Sequence, residues 1–503
     1  MSIIQQIRIK SMKISWVFLV ILLPVTSFPL IVRLVGSDVI GLPSGIFLLL
    51  MLVFWYLPLI WKGERIAKQH LLLFAFIIFA LLSTALSAFI TIPPYKGNKI
   101  ILEQAQSILT LFIGAAMFMV TAKWTESPGR LQQTFRLLNW SGLFVLLWSL
   151  AQALAWRIYG GYPAVMEIFH RFFSTGVLYG NRVTGLALEP SFFAHQLNCL
   201  YLPLWFSATV QKYSVYRKRV FGFSLENGLL FLGVIALFLS LSRVGYLSFF
   251  MMLGVFFLQI NHRFLDWVFG FVSKRMKIFR DEKTSSLKKR KQVRFRLRIG
   301  LMVLLIMAYL IVLISAVFIF VKIDPRMATF FEIDLSQDQW LYRYLGNMDL
   351  GPRISFWMAG WNVFAEHPLF GVGLGNSGFF FMDALPHYSW TFPEVRSLMW
   401  HSSSVLNPKN LWSRLLAETG ILGFSAFMIW LLGNWQTARE LLQKKSPLLR
   451  QMGLMGIFVT AALVVEGFSV DSFALPYYWF SFGLVLSAYT QSHGVSKPLA
   501  LKN

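Results

Sequence analysis

The sequence is short of cysteine, of acid and of charge in general. Among 503 residues there is one cysteine, Cys199, inside an apolar run. That excludes an intrachain disulfide and argues against a thiolate metal site. Charged residues are only 14% of the chain, against 56% hydrophobic and 17% aromatic. Such a chain cannot cover a water-facing surface, which excludes an ordinary soluble domain. Acid is scarcest of all, with 22 Asp and Glu against 46 Lys and Arg. Glu332-Ile-Asp334 is the only acidic-x-acidic spacing and is a weak metal signal, so a mechanism without metal or cofactor is expected.

What is present is apolar sequence in lengths near the roughly 20 residues that cross a bilayer. Twelve spans are expected, at 14–35, 44–61, 70–92, 101–121, 134–155, 190–211, 227–242, 245–261, 299–321, 413–433, 452–470 and 475–491. The seventh and eighth are short and meet at Leu241-Ser-Arg-Val244, which fits a tight hairpin. Arg8, Lys10 and Lys13 precede the apolar run from Ile14 as in a signal peptide, but no Ala-x-Ala-like site follows. An uncleaved first helix is expected.

Charge placement orients the chain. With both termini cytoplasmic, 32 of the 46 basic residues fall on inner segments, 13 of them in 262–298, as the positive-inside rule requires. The net charge of +24 is thus assigned to anionic lipid headgroups of the bilayer, or in the 262–298 loop to a cytoplasmic partner, rather than to nucleic acid. The expected organisation is spans one to nine within 1–320, an extracytoplasmic loop 321–412, and spans ten to twelve with a tail in 413–503. A second long outer loop covers 157–189.

The outer face is built from a different cation. From residue 150 onward it carries Arg157, Arg171, Arg182, Arg243, Arg326, Arg343, Arg353, Arg396 and Arg414 but only Lys322 and Lys409. A planar guanidinium grips phosphate with two prongs, which an ammonium cannot do. These arginines either bind phosphate or snorkel and pair with loop carboxylates. Arg243, between two spans, is the position where a charge beside hydrocarbon calls for a partner or ligand. Glu189, before Pro190, either stabilises a helix start or belongs to a site. His170, His367, His387 and His401 are the outer histidines, with His195 near a helix end.

Three motifs then carry a resemblance. They are Arg353 with its Trp-containing segment, His367-Pro-Leu-Phe-Gly-Val-Gly-Leu-Gly375, and Asn410-Leu-Trp-Ser-Arg-Leu-Leu-Ala-Glu-Thr-Gly-Ile-Leu-Gly423. With Asn181-Arg-Val-Thr-Gly-Leu-Ala-Leu-Glu-Pro190 and Ser242-Arg-Val-Gly245, they resemble the O-antigen ligase and polymerase superfamily over the C-terminal two-thirds of the chain. The resemblance implies an all-α polytopic membrane protein, GT-C-like, that is an inverting, metal-independent glycosyltransferase. It implies transfer of glycan from an undecaprenyl-pyrophosphate-linked oligosaccharide to an acceptor glycan or lipid A core, at the outer face of the bacterial inner membrane. Carried onto this chain, Arg243 and Arg353 become pyrophosphate ligands, joined by Arg182, Glu189, His367, Asn410 and Arg414 as substrate-binding candidates. His401, Lys409 and Glu418 are the catalytic candidates. Lys409-Asn410 stands where many members have His-Asn, so His401 or Lys409 takes the place of the loop histidine.

The leading expectation is a repeat-unit polymerase, with the ligase to lipid A core as the alternative. A flippase of lipid-linked sugars is the rival from another class. It calls for charges midway along helices, and here Glu103 and Glu466 are the nearest to that.

Overall fold

The computed structural model describes residues 3–258 and 340–494, apart from positions 39, 65, 217 and 349, with scattered helical positions between 296 and 321 and a turn position at 336. The basic loop 262–298, the ninth expected span and Glu332-Ile-Asp334 lie largely or wholly outside the described residues. The chain divides into two compact units, one of residues 1–251 and 352–503 and one of residues 252–351. In the second, the described residues include one continuous helix, Trp340–Asn347. The first holds most of the described helices.

Among the described residues every regular element is helical, with only an isolated bridge between Val220 and Phe223. Hydrocarbon offers no partner for backbone N–H and C=O groups, and a helix satisfies them within itself. Helices α1 (Ile3–Ile21) and α2 (Pro29–Val35) open the chain. Then come α3 (Pro43–Trp61), α4 (Gln69–Leu86), α5 (Ile100–Trp124) and α6 (Pro128–Tyr159). The short α7 (Ala164–Phe173) precedes α8, which runs from Pro190–Gln196 through a π turn, Leu197–Tyr201, into Leu202–Val210. Helices α9 (Leu225–Leu239) and α10 (Arg243–Leu258) form the expected hairpin. After the second unit come α11 (Gly351–Glu366), α12 (Pro393–His401), α13 (Leu411–Leu442), α14 (Pro447–Glu466) and α15 (Tyr477–Ser492).

Among the described residues six helices are long and apolar enough to cross a membrane: α3, α4 extended to Phe89, α5, α6, α13 and α14. The first expected span, 14–35, is interrupted instead. Pro24 and Pro29 lack the N–H that a continuous helix needs, and the chain between α1 and α2 turns so that Phe28 N–H reaches Gly41 O at 2.7 Å. The turn holds the later loop, since Thr26 Oγ1 accepts from Leu188 N–H at 2.8 Å and Ser27 O from Thr175 N–H at 2.9 Å.

The centre of the unit is the antiparallel pair α14 and α15. Almost every residue from Gln451 to Ala462 and from Tyr477 to Ala488 is buried, the mark of an all-round apolar helix enclosed by others. Helix α13 packs against both α14 and α4, and α15 against α5. Lipid-facing surface falls on the outer helices, where Leu49, Leu71, Ile78, Leu147 and Leu154 are exposed.

Candidate active site

Helix α13 is not continuous. Gly420 has φ 62° and ψ −170°, which breaks the helix directly after the Ala417-Glu418-Thr419 turn. A break in an apolar helix leaves carbonyls without their helical donors, and the glycine motif after His367 supplies replacements. Val372 N–H reaches Ala417 O and Gly373 N–H reaches Glu418 O, both at 2.9 Å, and Ile421 N–H reaches Pro368 O at 2.8 Å. Ser83 Oγ in α4 donates to Glu418 O at 2.6 Å. The fit is backbone against backbone. A Cβ on Gly420 would stand 2.3 Å from Leu369 O and one on Gly371, φ 68°, 2.5 Å from Ala417 O. The two motifs singled out in the sequence are therefore two halves of one clasp.

Within the clasp the charged side chains turn inward. Glu418, 2% exposed, accepts from Ser377 Oγ at 3.0 Å and from Arg414 Nε at 3.0 Å. Arg414 also donates to Asp471 O at 2.9 Å and to Ser107 Oγ of α5 at 3.1 Å. Asp471, in the turn between α14 and α15, is buried as well. Burial raises its carboxyl above the usual range, with the Arg414 guanidinium pulling the other way.

That turn gathers the site. Arg353, two residues into α11, donates from Nη1 to Ser469 Oγ at 2.9 Å. Leu411 N–H reaches Gly467 O at 2.7 Å, and Trp412 Nε1 reaches Val464 O at 3.1 Å. Asn410 is the N-cap of α13, its Oδ1 accepting from the N–H groups of Trp412 and Ser413 at 2.8 and 3.2 Å, which satisfies donors a helix start leaves open. Beside it Lys409, at φ 51°, reaches Glu394 Oε1 of α12 at 3.3 Å and lies 5.0 Å from the centre of the Phe356 ring.

Arg243 opens α10, directly after the hairpin turn in which Leu241 has φ 48°. Two other elements hold that turn. Arg182 Nε donates to Ser240 O at 3.2 Å, and Asn198 Nδ2 of α8 donates to Gly245 O at 2.9 Å. Arg182 and Arg157 also border a cavity of about 480 Å³ whose wall is Leu150, Leu154, Trp156 and Leu239.

Residues 228–428 match the O-antigen ligase family model. Over that stretch the chain is similar to the O-antigen ligase/polymerase superfamily. No curated protein matches it. The family indicates a membrane enzyme of the glycosyltransferase type, acting in polysaccharide and lipopolysaccharide biosynthesis as an O-antigen ligase or polymerase. The match takes in Arg243, Arg353, the clasp and Asn410 to Glu418, and ends before the turn that receives Arg353 and Arg414.

The other candidates sit on other elements. His367 ends α11, 14 residues from Arg353 and hence roughly 20 Å along the axis, its ring edge-on to Phe380. Glu189 is the N-cap residue of α8 and accepts from Ser191 Oγ. His401 is exposed at the end of α12. The residues just after it are pinned by the α4–α5 loop, with Lys96 Nζ on Ser402 O at 2.6 Å and Asn98 Nδ2 on Ser403 O at 2.7 Å. Reading the sequence alone missed Ser469, Asp471 and Asn198. Glu466 did leave a signal, as a carboxylate in an apolar run.

Proposed function

We propose that this protein is a repeat-unit polymerase that transfers glycan from an undecaprenyl-pyrophosphate-linked donor to an acceptor sugar hydroxyl at the outer face of the bacterial inner membrane. One observation carries the reading: Arg353 and the Arg243 turn, far apart in sequence, are both tied to the end of α14, through Ser469 and through Asn198 and Glu466. In this reading the two guanidinium groups grip the donor's pyrophosphate. Lys409 adds a third cation, and the prenyl chain enters the cavity between Leu150, Leu154 and Leu239 with Arg182 at its head.

Cleaving the bond from sugar to pyrophosphate leaves concentrated negative charge, and fixed cations at a low-dielectric boundary stabilise that charge as it develops. His401 removes the acceptor hydroxyl's proton, imidazole being the side chain most often used as a general base. The hydroxyl oxygen attacks the anomeric carbon opposite the leaving phosphate, so the configuration inverts, and the pyrophosphate leaves on the arginines without a metal. Arg414 and Glu418 hold the clasp beneath these groups. Asn410 sets the helix start beside Lys409, and Glu189 sets that of α8.

The reading is tested with the purified full chain in detergent, supplied with a lipid-linked oligosaccharide donor. Arg243→Ala and Arg353→Ala are expected to fold and to lose on the order of 10²-fold in transfer rate. Equal donor consumption by both variants and the unchanged protein would overturn the assignment. Gene deletion separates polymerase from ligase: single repeat units left on the surface acceptor support the polymerase, and long chains accumulating on the lipid carrier make the protein the ligase. Movement of donor across the bilayer without transfer would make it a flippase.

A further inference from the structure

Asn198 lies in the π turn of α8 and is fully buried. Its amide nitrogen makes two contacts, to Gly245 O at 2.9 Å and to Glu466 Oε1 at 2.7 Å. The second oxygen of Glu466 stands 3.5 Å from His195 Nδ1, and Glu466 and His195 are each 1% exposed. Enclosing a carboxyl, an imidazole and an amide among apolar helices costs more than filling the same volume with leucine. Their presence therefore calls for a reason other than packing. π turns, which shift the side-chain register, recur at functional sites.

The geometry supplies a reason. Gly245 is two residues beyond Arg243, in the first turn of α10, and its carbonyl is held by a side chain from a different helix. Glu466 orients that side chain, and three residues further on Ser469 receives Arg353. One helix end thus sets the position of both arginines, one through a hydroxyl and the other through Asn198. We propose that Asn198 is a positioning residue for the donor pyrophosphate, which, oriented by Glu466, keeps Arg243 at the separation from Arg353 that lets the two grip one diphosphate. This rests on the reading of Arg243 as a pyrophosphate ligand.

A double-mutant cycle on the purified full chain tests it, with kcat/KM for the lipid-linked donor as the readout. Asn198→Ala is expected to lower kcat/KM by about 10-fold or more, as misplacing a binding group does, while KM for the acceptor is unchanged. Because Asn198 acts through Arg243, adding Asn198→Ala to Arg243→Ala should cost less than about 2-fold further. An equal loss in both backgrounds overturns the proposal, as does full activity of Asn198→Ala. If Arg243→Ala itself transfers at the unchanged rate, the underlying reading falls and this one with it.

Two further variants guard against simple loosening. Glu466→Gln keeps an oxygen for Asn198 and should stay within about 3-fold of the unchanged rate, whereas Glu466→Leu should reproduce the loss of Asn198→Ala. Ser481→Ala removes a 2.7 Å bond to Cys199 O in the same π turn, without touching Asn198 or Glu466. It should leave kcat/KM within about 2-fold, and a loss equal to that of Asn198→Ala would assign the effect to general packing and sink the proposal.

Discussion

Arg414 Nε lies 3.0 Å from Glu418 Oε2, one turn away on α13, and both side chains are buried. The pair joins the broken helix to α5 and to the α14–α15 turn, so it bears on folding before it bears on chemistry. Removing one member strands the other charge, which costs about 3–5 kcal/mol. Arg414→Met is therefore expected to lower the melting temperature in detergent, and Arg414→Met with Glu418→Leu to recover most of it. A variant Arg414→Met that melts normally but no longer transfers would instead place the guanidinium on the substrate.

The clasp tolerates no side chain at two of its glycines. Gly420→Ala and Gly371→Ala each combine a left-handed φ with a backbone oxygen at 2.3 or 2.5 Å from the new Cβ. Each should cost at least about 1–3 kcal/mol of stability, read as lost melting temperature or lost monodisperse protein. Gly228→Ala, helical with open space around the added carbon, should be neutral or stabilising by up to about 1 kcal/mol.

His401 and Lys409 are separable by kinetics. Loss of a general base lowers kcat by about 10²–10⁴-fold, which is expected of His401→Ala together with loss of the acid limb of the pH–rate profile. Lys409→Ala should instead raise KM for the donor and leave that limb in place. The reverse pattern would make Lys409 the base.

His170 makes α7 sensitive to acid. Burial pushes its imidazole down to about 4 from the ordinary 6.5, so the folded helix holds a neutral ring while the unfolded segment takes up a proton first as pH falls. Stability is complete above pH 6.5, falls between 6.5 and 4, and the full loss is on the order of 3 kcal/mol. The protection of the α7 amides, each exchange rate referred to the intrinsic rate at the same pH, should fall over that window, and His170→Phe should flatten the dependence. Protection independent of pH in the unchanged protein would refute the assignment.

Much of this protein is local and so legible in its sequence. Apolar length gives helices because hydrocarbon leaves the backbone no other partner. Proline begins α3, α6, α8 and α14, and Asn410 caps α13 as its residue type suggests. The hairpin at Leu241 to Val244 and the likeness to the family follow from residues adjacent in the chain. What spacing could not convey is which polar group meets which. The sequence marked Arg414 and Arg353 as alike, yet Arg414 is enclosed by Glu418, Ser107 and the Asp471 carbonyl, while Arg353 donates to the Ser469 hydroxyl. It marked the glycines after His367 and the Glu-Thr-Gly of α13 as separate motifs, and only the folded chain makes them one clasp. The pairing of Asn198 with Glu466 spans 268 residues. Composition and period decide where a helix forms because its hydrogen bonds are local. The directions of buried charges are settled by partners from other helices, and that belongs to the tertiary structure alone.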